Sequence, residues 1–128
     1  MQIGVDHPIA TAAAVEKAFA DRLNNPAFMA QIARTKLATG TTFVSGFPDY
    51  MPITPGKSGT VIVRSVAADD IGGDPALVAG HVGRGRAILA GLNLGAKCVN
   101  VDGKYVTTEE LAPEEESILV NGVFWLGQ

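Results

Sequence analysis

Between Gly59 and Val106 the chain is cut into short apolar, β-branched runs by glycine-centred gaps, and this punctuation constrains its fold more than any other feature. The run Gly59 to Val66 sets Val61, Val63 and Ser65 against Thr60, Ile62 and Arg64. That period of two, with one apolar face, predicts a strand. Ala76 to Val82 and Ala87 to Leu92 are separated by Gly83 to Gly85, a gap that favours a β-hairpin. Val99 to Val101 and Lys104 to Val106 flank Asp102-Gly103, the dipeptide best suited to a two-residue hairpin loop. Two successive hairpins are expected.

The flanking segments have a different texture. Alanine-rich sequence from Ala10 to Leu23 places Val15, Phe19 and Leu23 at four-residue spacing, which predicts a helix with one buried stripe and Thr11 as its cap. Pro26 interrupts this pattern and opens a second helix to about Leu37, with Phe28, Met29, Ile32 and Ala33 inward. A short strand is expected over Thr41 to Val44, and a proline-restricted loop from Phe47 to Ser58. Near the end, Pro113 and Glu114 to Glu116 suit a helix start, and Leu119, Val123 and Leu126 recur at helical spacing up to Gly127. The expected class is therefore α/β, with a mixed sheet, antiparallel hairpins in the second half, two N-terminal helices and one C-terminal helix. With 128 residues, 47 % of them hydrophobic, the chain is long enough for one domain over residues 1–128 but not for two.

Charge and cysteine content exclude several function classes. Thirteen acidic against ten basic residues give a net charge of −3. The basic residues are dispersed, so no nucleic acid or anionic membrane is expected as a partner. Cys98 is the sole cysteine, which rules out an intramolecular disulfide and a thiolate metal cluster. No run reaches the roughly 18 apolar residues of a membrane helix, and no signal-peptide pattern opens the chain. A soluble, cytoplasmic protein is the expectation.

The segment Val82 to Gly95, reading Val-Gly-Arg-Gly-Arg-Ala-Ile-Leu-Ala-Gly-Leu-Asn-Leu-Gly, resembles the last third of class I glutamine-amidotransferase-like domains, including the trehalose-utilisation (ThuA-like) group. The resemblance continues over Glu115 to Gly127, where Asn121 and Trp125 match the closing helix, and in the opening element Asp6-His7-Pro8-Ile9. It implies a partial flavodoxin-like fold, from a compact derivative or a fragment, since complete members are longer. It also implies that catalysis is lost. Catalytic relatives end the strand corresponding to Ala87–Gly91 in His-Pro-Glu, whereas Asn93, Leu94 and Gly95 stand here. Asn cannot accept a proton as His does, and Cys98 lies after the strand instead of in a nucleophile elbow.

Candidate residues are few. His7 and His81 are the only imidazoles, too few for a metal site without distant carboxylates, so no metal or other cofactor is expected. His81, in an apolar strand, reads as a structural residue, and Trp125 and Phe124 as core. The Gly83 to Gly85 turn with Arg84 and Arg86 offers backbone donors and two guanidinium groups to an anion, although glycines in a hairpin and solvated arginines are the favoured explanation. The acids from Glu109 to Glu116 read as helix-dipole partners instead of a paired-carboxylate site. Phe47 and Tyr50, in the proline-bounded loop, suit an exposed binding surface. His7, Asn93, Phe47, Tyr50 and Arg84 are accordingly the candidate ligand contacts, with no catalytic residue among them. The leading function is a non-catalytic domain for assembly or for a small polar or carbohydrate-type ligand. The alternative is a structural subunit that forms a homo-oligomer by pairing exposed sheet edges. A new enzyme built on Asp6, His7 and Asn93 ranks third.

Overall fold

The computed structural model describes residues 1–46, 50–66, 73–95, 97–108 and 110–128. Among these, β1 (Gln2–Ile3), β2 (Thr60–Arg64), β3 (Pro75–Val82) and β4 (Gly85–Ala90) form one sheet in the order β1-β2-β3-β4. A separate ribbon pairs β5 (Lys97–Val101) with β6 (Lys104–Thr108). The helices are α1 (Pro8–Thr11), α2 (Ala13–Ala18), α3 (Pro26–Thr35) and α4 (Pro113–Leu126). The α/β class and both expected hairpins are therefore present. Every pairing between the described strands is antiparallel, including β1 with β2, where the expected mixed sheet leaves room for parallel neighbours.

Both hairpin loops follow from two residues each. Val82 pairs with Gly85, leaving Gly83-Arg84 as the loop, and Gly83 takes the left-handed position at φ 61°. In the second hairpin Asp102 and Gly103 both have positive φ, 52° and 80°, the combination a type I′ loop requires. Asn100 Oδ1 accepts the Gly103 N–H at 2.9 Å and fixes that loop further.

The centre of the sheet departs from simple alternation. Val61 opposes Val78 and Val63 opposes Leu77, so Ile62 is an extra residue on β2; Arg64 then opposes Pro75, which makes Ala76 the extra residue on β3. Ile62, Val63, Ala76 and Leu77, at and beside these two bulges, are all completely buried, and the regularly paired Val78 and Ala79 are buried too, so both faces of β3 are covered here. Together with Ile3, Ile9 and Ile118 they form the main core, each large aliphatic side chain contributing about 1.5–3 kcal/mol.

The N-terminal helical run is broken where the sequence suggests one rod. Ala12, at φ 62°, ends α1 and precedes α2, and Phe19 leaves helical geometry before a single 3-10 turn at Ala20–Arg22. Ile9, Ala10, Ala12, Ala14 and Val15 point around every side of a straight helix, and the break allows all five to be buried. The cap is His7 and not Thr11, and Leu23 is exposed instead of completing a stripe. In α3, Asn25 Oδ1 caps the N–H groups of Ala27 and Phe28, Ile32 is buried, and Ala33 faces out. The expected strand over Thr41 to Val44 reduces to a bridge from Gln2 to Thr42 beside β1.

Helix α4 turns an unexpected face inward. Glu115, Ile118, Asn121, Gly122 and Trp125 are buried, whereas Leu119, Val123 and Leu126, the residues whose spacing predicts the helix, are exposed. Two polar anchors explain the choice. Glu115, fully buried instead of solvated at the helix start, accepts from Ser45 Oγ at 2.6 Å and from the Gly46 N–H at 3.1 Å. Asn121 donates to the Thr35 carbonyl at 2.9 Å, joining α4 to the end of α3.

Candidate functional site

A gathering of chemically capable side chains surrounds the ring of Trp125. Helix α4 carries this indole on its inner face, 5 % exposed. His7 reaches it from the start of α1, where Pro8 fixes the first helical position and the extended backbone at His7 (φ −138°, ψ 148°) turns the chain into the helix. The imidazole stands edge-on to the indole, with ring centroids 5.2 Å apart. His81 and Arg86 arrive together because the two-residue loop makes them cross-strand partners on one sheet face. The His81 ring lies 5.9 Å from the indole, and the Arg86 guanidinium carbon 5.2 Å from the ring centroid. Arg86 Nη1 also donates to the Trp125 carbonyl at 2.6 Å and to Gln128 Oε1 at 3.1 Å, closing the end of α4.

The electrostatics of this cluster are one-sided. His7 Nδ1 accepts the Ile9 N–H at 3.2 Å, so its neutral form carries the proton on Nε2. Burial holds the His7 pKa below the ordinary histidine value, and the charges of Arg86 and His81 press it in the same direction. The ion pairs among the described residues join Lys36 to Glu16 and Lys97 to Glu110, and neither involves the cluster. The arrangement offers several N–H donors around an aromatic ring, and no carboxylate among the described residues is paired with them.

The residues singled out from sequence lie apart. His7 belongs to the Trp125 cluster. Asn93 is exposed, its Oδ1 accepting the Gly95 N–H at 3.0 Å in a local turn. Tyr50 is half-buried; its backbone bridges to Leu92, next to Asn93, and its hydroxyl donates to Asp74 Oδ2 at 3.4 Å. Arg84 is exposed at the tip of the β3–β4 loop, and Phe47 lies outside the described residues. No hydrogen bond or ring contact among the described residues joins His7 to Asn93, Tyr50 or Arg84. Sequence reasoning weighed Arg86 with Arg84 as an anion-binding pair but kept only Arg84 among the candidate contacts, and it treated His81 as structural, although His81 is exposed. The available signal was register: a two-residue loop at Gly83-Arg84 pairs His81 with Arg86.

A second surface runs beside this cluster. Because Val82 and Gly85 close a two-residue loop, Ala87 and Leu89 bond inward to β3 and Arg86, Ile88 and Ala90 turn their backbone groups outward. Past Ala90 the Tyr50–Met51 segment takes over the edge, with the Met51 N–H donating to the Gly91 carbonyl at 2.8 Å. From Arg86 to Ala90 no partner occupies the edge among the described residues. Helix α4 covers β4 at Gly122, where Ile88 Cδ1 would stand 3.1 Å from an added Cβ. Its exposed residues Leu119, Val123 and Leu126 share the flank of α4 opposite buried Asn121 and Ser117. On the other sheet face Leu89 is 61 % exposed.

No helix among the described residues is long and apolar enough to cross a membrane. Comparison with known protein families, with curated proteins and with solved structures finds no match to this chain.

Proposed function

We propose that this chain is a non-catalytic assembly domain of amidotransferase-like, ThuA-like ancestry, which self-associates through the β4 edge and the adjoining face of α4. One observation carries the reading: the outward-facing backbone of Arg86, Ile88 and Ala90 has no partner among the described residues and lies beside an exposed apolar helix flank. A strand edge of this kind favours another strand, and apolar flanks gain from being covered. A second copy offers both, since pairing β4 with β4 about a two-fold axis sets the same helix flanks side by side. The proposed ancestry draws on the Val82 to Gly95 segment and the α4 pattern. Loss of catalysis draws on Asn93, Leu94 and Gly95 standing where such enzymes carry His-Pro-Glu.

Val123→Glu tests this reading, because Val123 is 60 % exposed and its replacement leaves the folded chain's own contacts largely untouched. The variant should keep the wild-type circular dichroism spectrum and elute at a lower apparent mass. An unchanged elution volume would remove α4 from the interface.

The second reading, binding of a small polar ligand, is favoured by the uncompensated donors around Trp125.

A further inference from the structure

We infer that His7, His81 and Arg86, gathered on the ring of Trp125, form a site for a small oxyanion, a carboxylate or a phosphate group. The inference deepens the ligand-binding reading above and is independent of self-association. Three observations support it. The guanidinium is held in place by stacking on the indole and by the two hydrogen bonds of Nη1, so little freedom remains to be lost on binding. Capping of α4 accounts for Nη1 alone; Nε and Nη2 have no acceptor among the described residues, and neither does the Nε2–H that the Ile9 hydrogen bond leaves on neutral His7. The groups acting on His7 are burial, Arg86 and His81, with no carboxylate among them. An oxyanion would bring the counter-charge that no described residue gives the cluster and accept charge-assisted hydrogen bonds from a fork and one or two imidazoles. His81 is exposed and gives access from solvent, while the buried indole forms the floor.

Trp125 is the sole tryptophan, so its fluorescence reports on the site directly. The full chain is titrated with inorganic phosphate and separately with acetate, at ionic strength held constant with sodium chloride. The expected result is a saturable change with at least one of the two anions. The same change should need about tenfold more anion in His81→Gln and in Arg86→Gln, the effect of removing one charge-assisted hydrogen bond. His81→Gln, on an exposed position, should melt as the wild type does, and it carries the test if Arg86→Gln fails to fold. Absence of a saturable change with both anions, an equal change with chloride alone, or undiminished binding in folded His81→Gln would overturn the inference. Light scattering on the same samples separates the two proposals: a monomer that binds anion keeps this site and removes self-association, whereas a dimer without an anion response does the reverse.

Discussion

A methyl group at Gly91 would overlap the carbonyl oxygen of Met51 and stand 3.3 Å from that of Ala76, because this residue is held between β3 and the Tyr50–Met51 segment. Both neighbours are backbone and cannot swing aside. Gly91→Ala should therefore cost about 1–3 kcal/mol in urea unfolding, and a loss below about 0.5 kcal/mol would show that this crossing is loosely packed. His7 gives a prediction with a sign. Its pKa is lowered in the folded state, so above the ordinary value near 6.5 both folded and unfolded chains hold it neutral and it adds no pH dependence. As the pH falls below that value the unfolded chain takes up the proton first, and stability declines until the folded pKa is passed. The causes are burial first, then the charges of Arg86 on β4 and His81 on β3; Asp6, the neighbour of His7 in the chain, is exposed. Thermal melting from pH 7.5 to 5 should show a slope that His7→Gln reduces; an identical slope in the variant would contradict the assignment. Neither effect was legible from sequence, since a glycine among apolar residues and a histidine before a proline both read as ordinary turn chemistry.

At the scale of elements, legibility followed how locally each was encoded. Gly83-Arg84 and Asp102-Gly103 specify their hairpins with two residues each, and both formed in register. Replacing Gly103, at φ 80°, with alanine should weaken the β5–β6 ribbon by about 1 kcal/mol. Amide exchange should then quicken in residues 97–108 while β2 and β3 stay protected, and uniform quickening throughout would mean that the ribbon and the sheet unfold together. The misread elements depend on distant partners. The bulges at Ile62 and Ala76 arise from fitting β2 to β3, and the break at Ala12 from the need to bury residues on every side of α1 and α2. The orientation of α4 is decided by Ser45, Gly46 and Thr35, far away in sequence, which take Glu115 and Asn121 inward. Spacing alone identified the helix; it could not tell which of its two apolar faces meets the core.

For the whole molecule, the same reversal on α4 underlies the functional reading. By turning Glu115, Asn121 and Trp125 inward, the helix both assembles the basic cluster around the indole and leaves Leu119, Val123 and Leu126 in solvent. Of the candidate site, His7 was visible in sequence and Arg86 was weighed there beside Arg84, whereas the pairing of Arg86 with His81 became visible only through strand register. The open β4 edge lies next to that apolar flank, and covering both with a second copy is the central claim. The most direct test is the molar mass of the wild-type chain by light scattering coupled to size exclusion, over about a hundredfold range of concentration. The account predicts a mass rising with concentration to twice that of the chain. A mass equal to one chain throughout the range would contradict it.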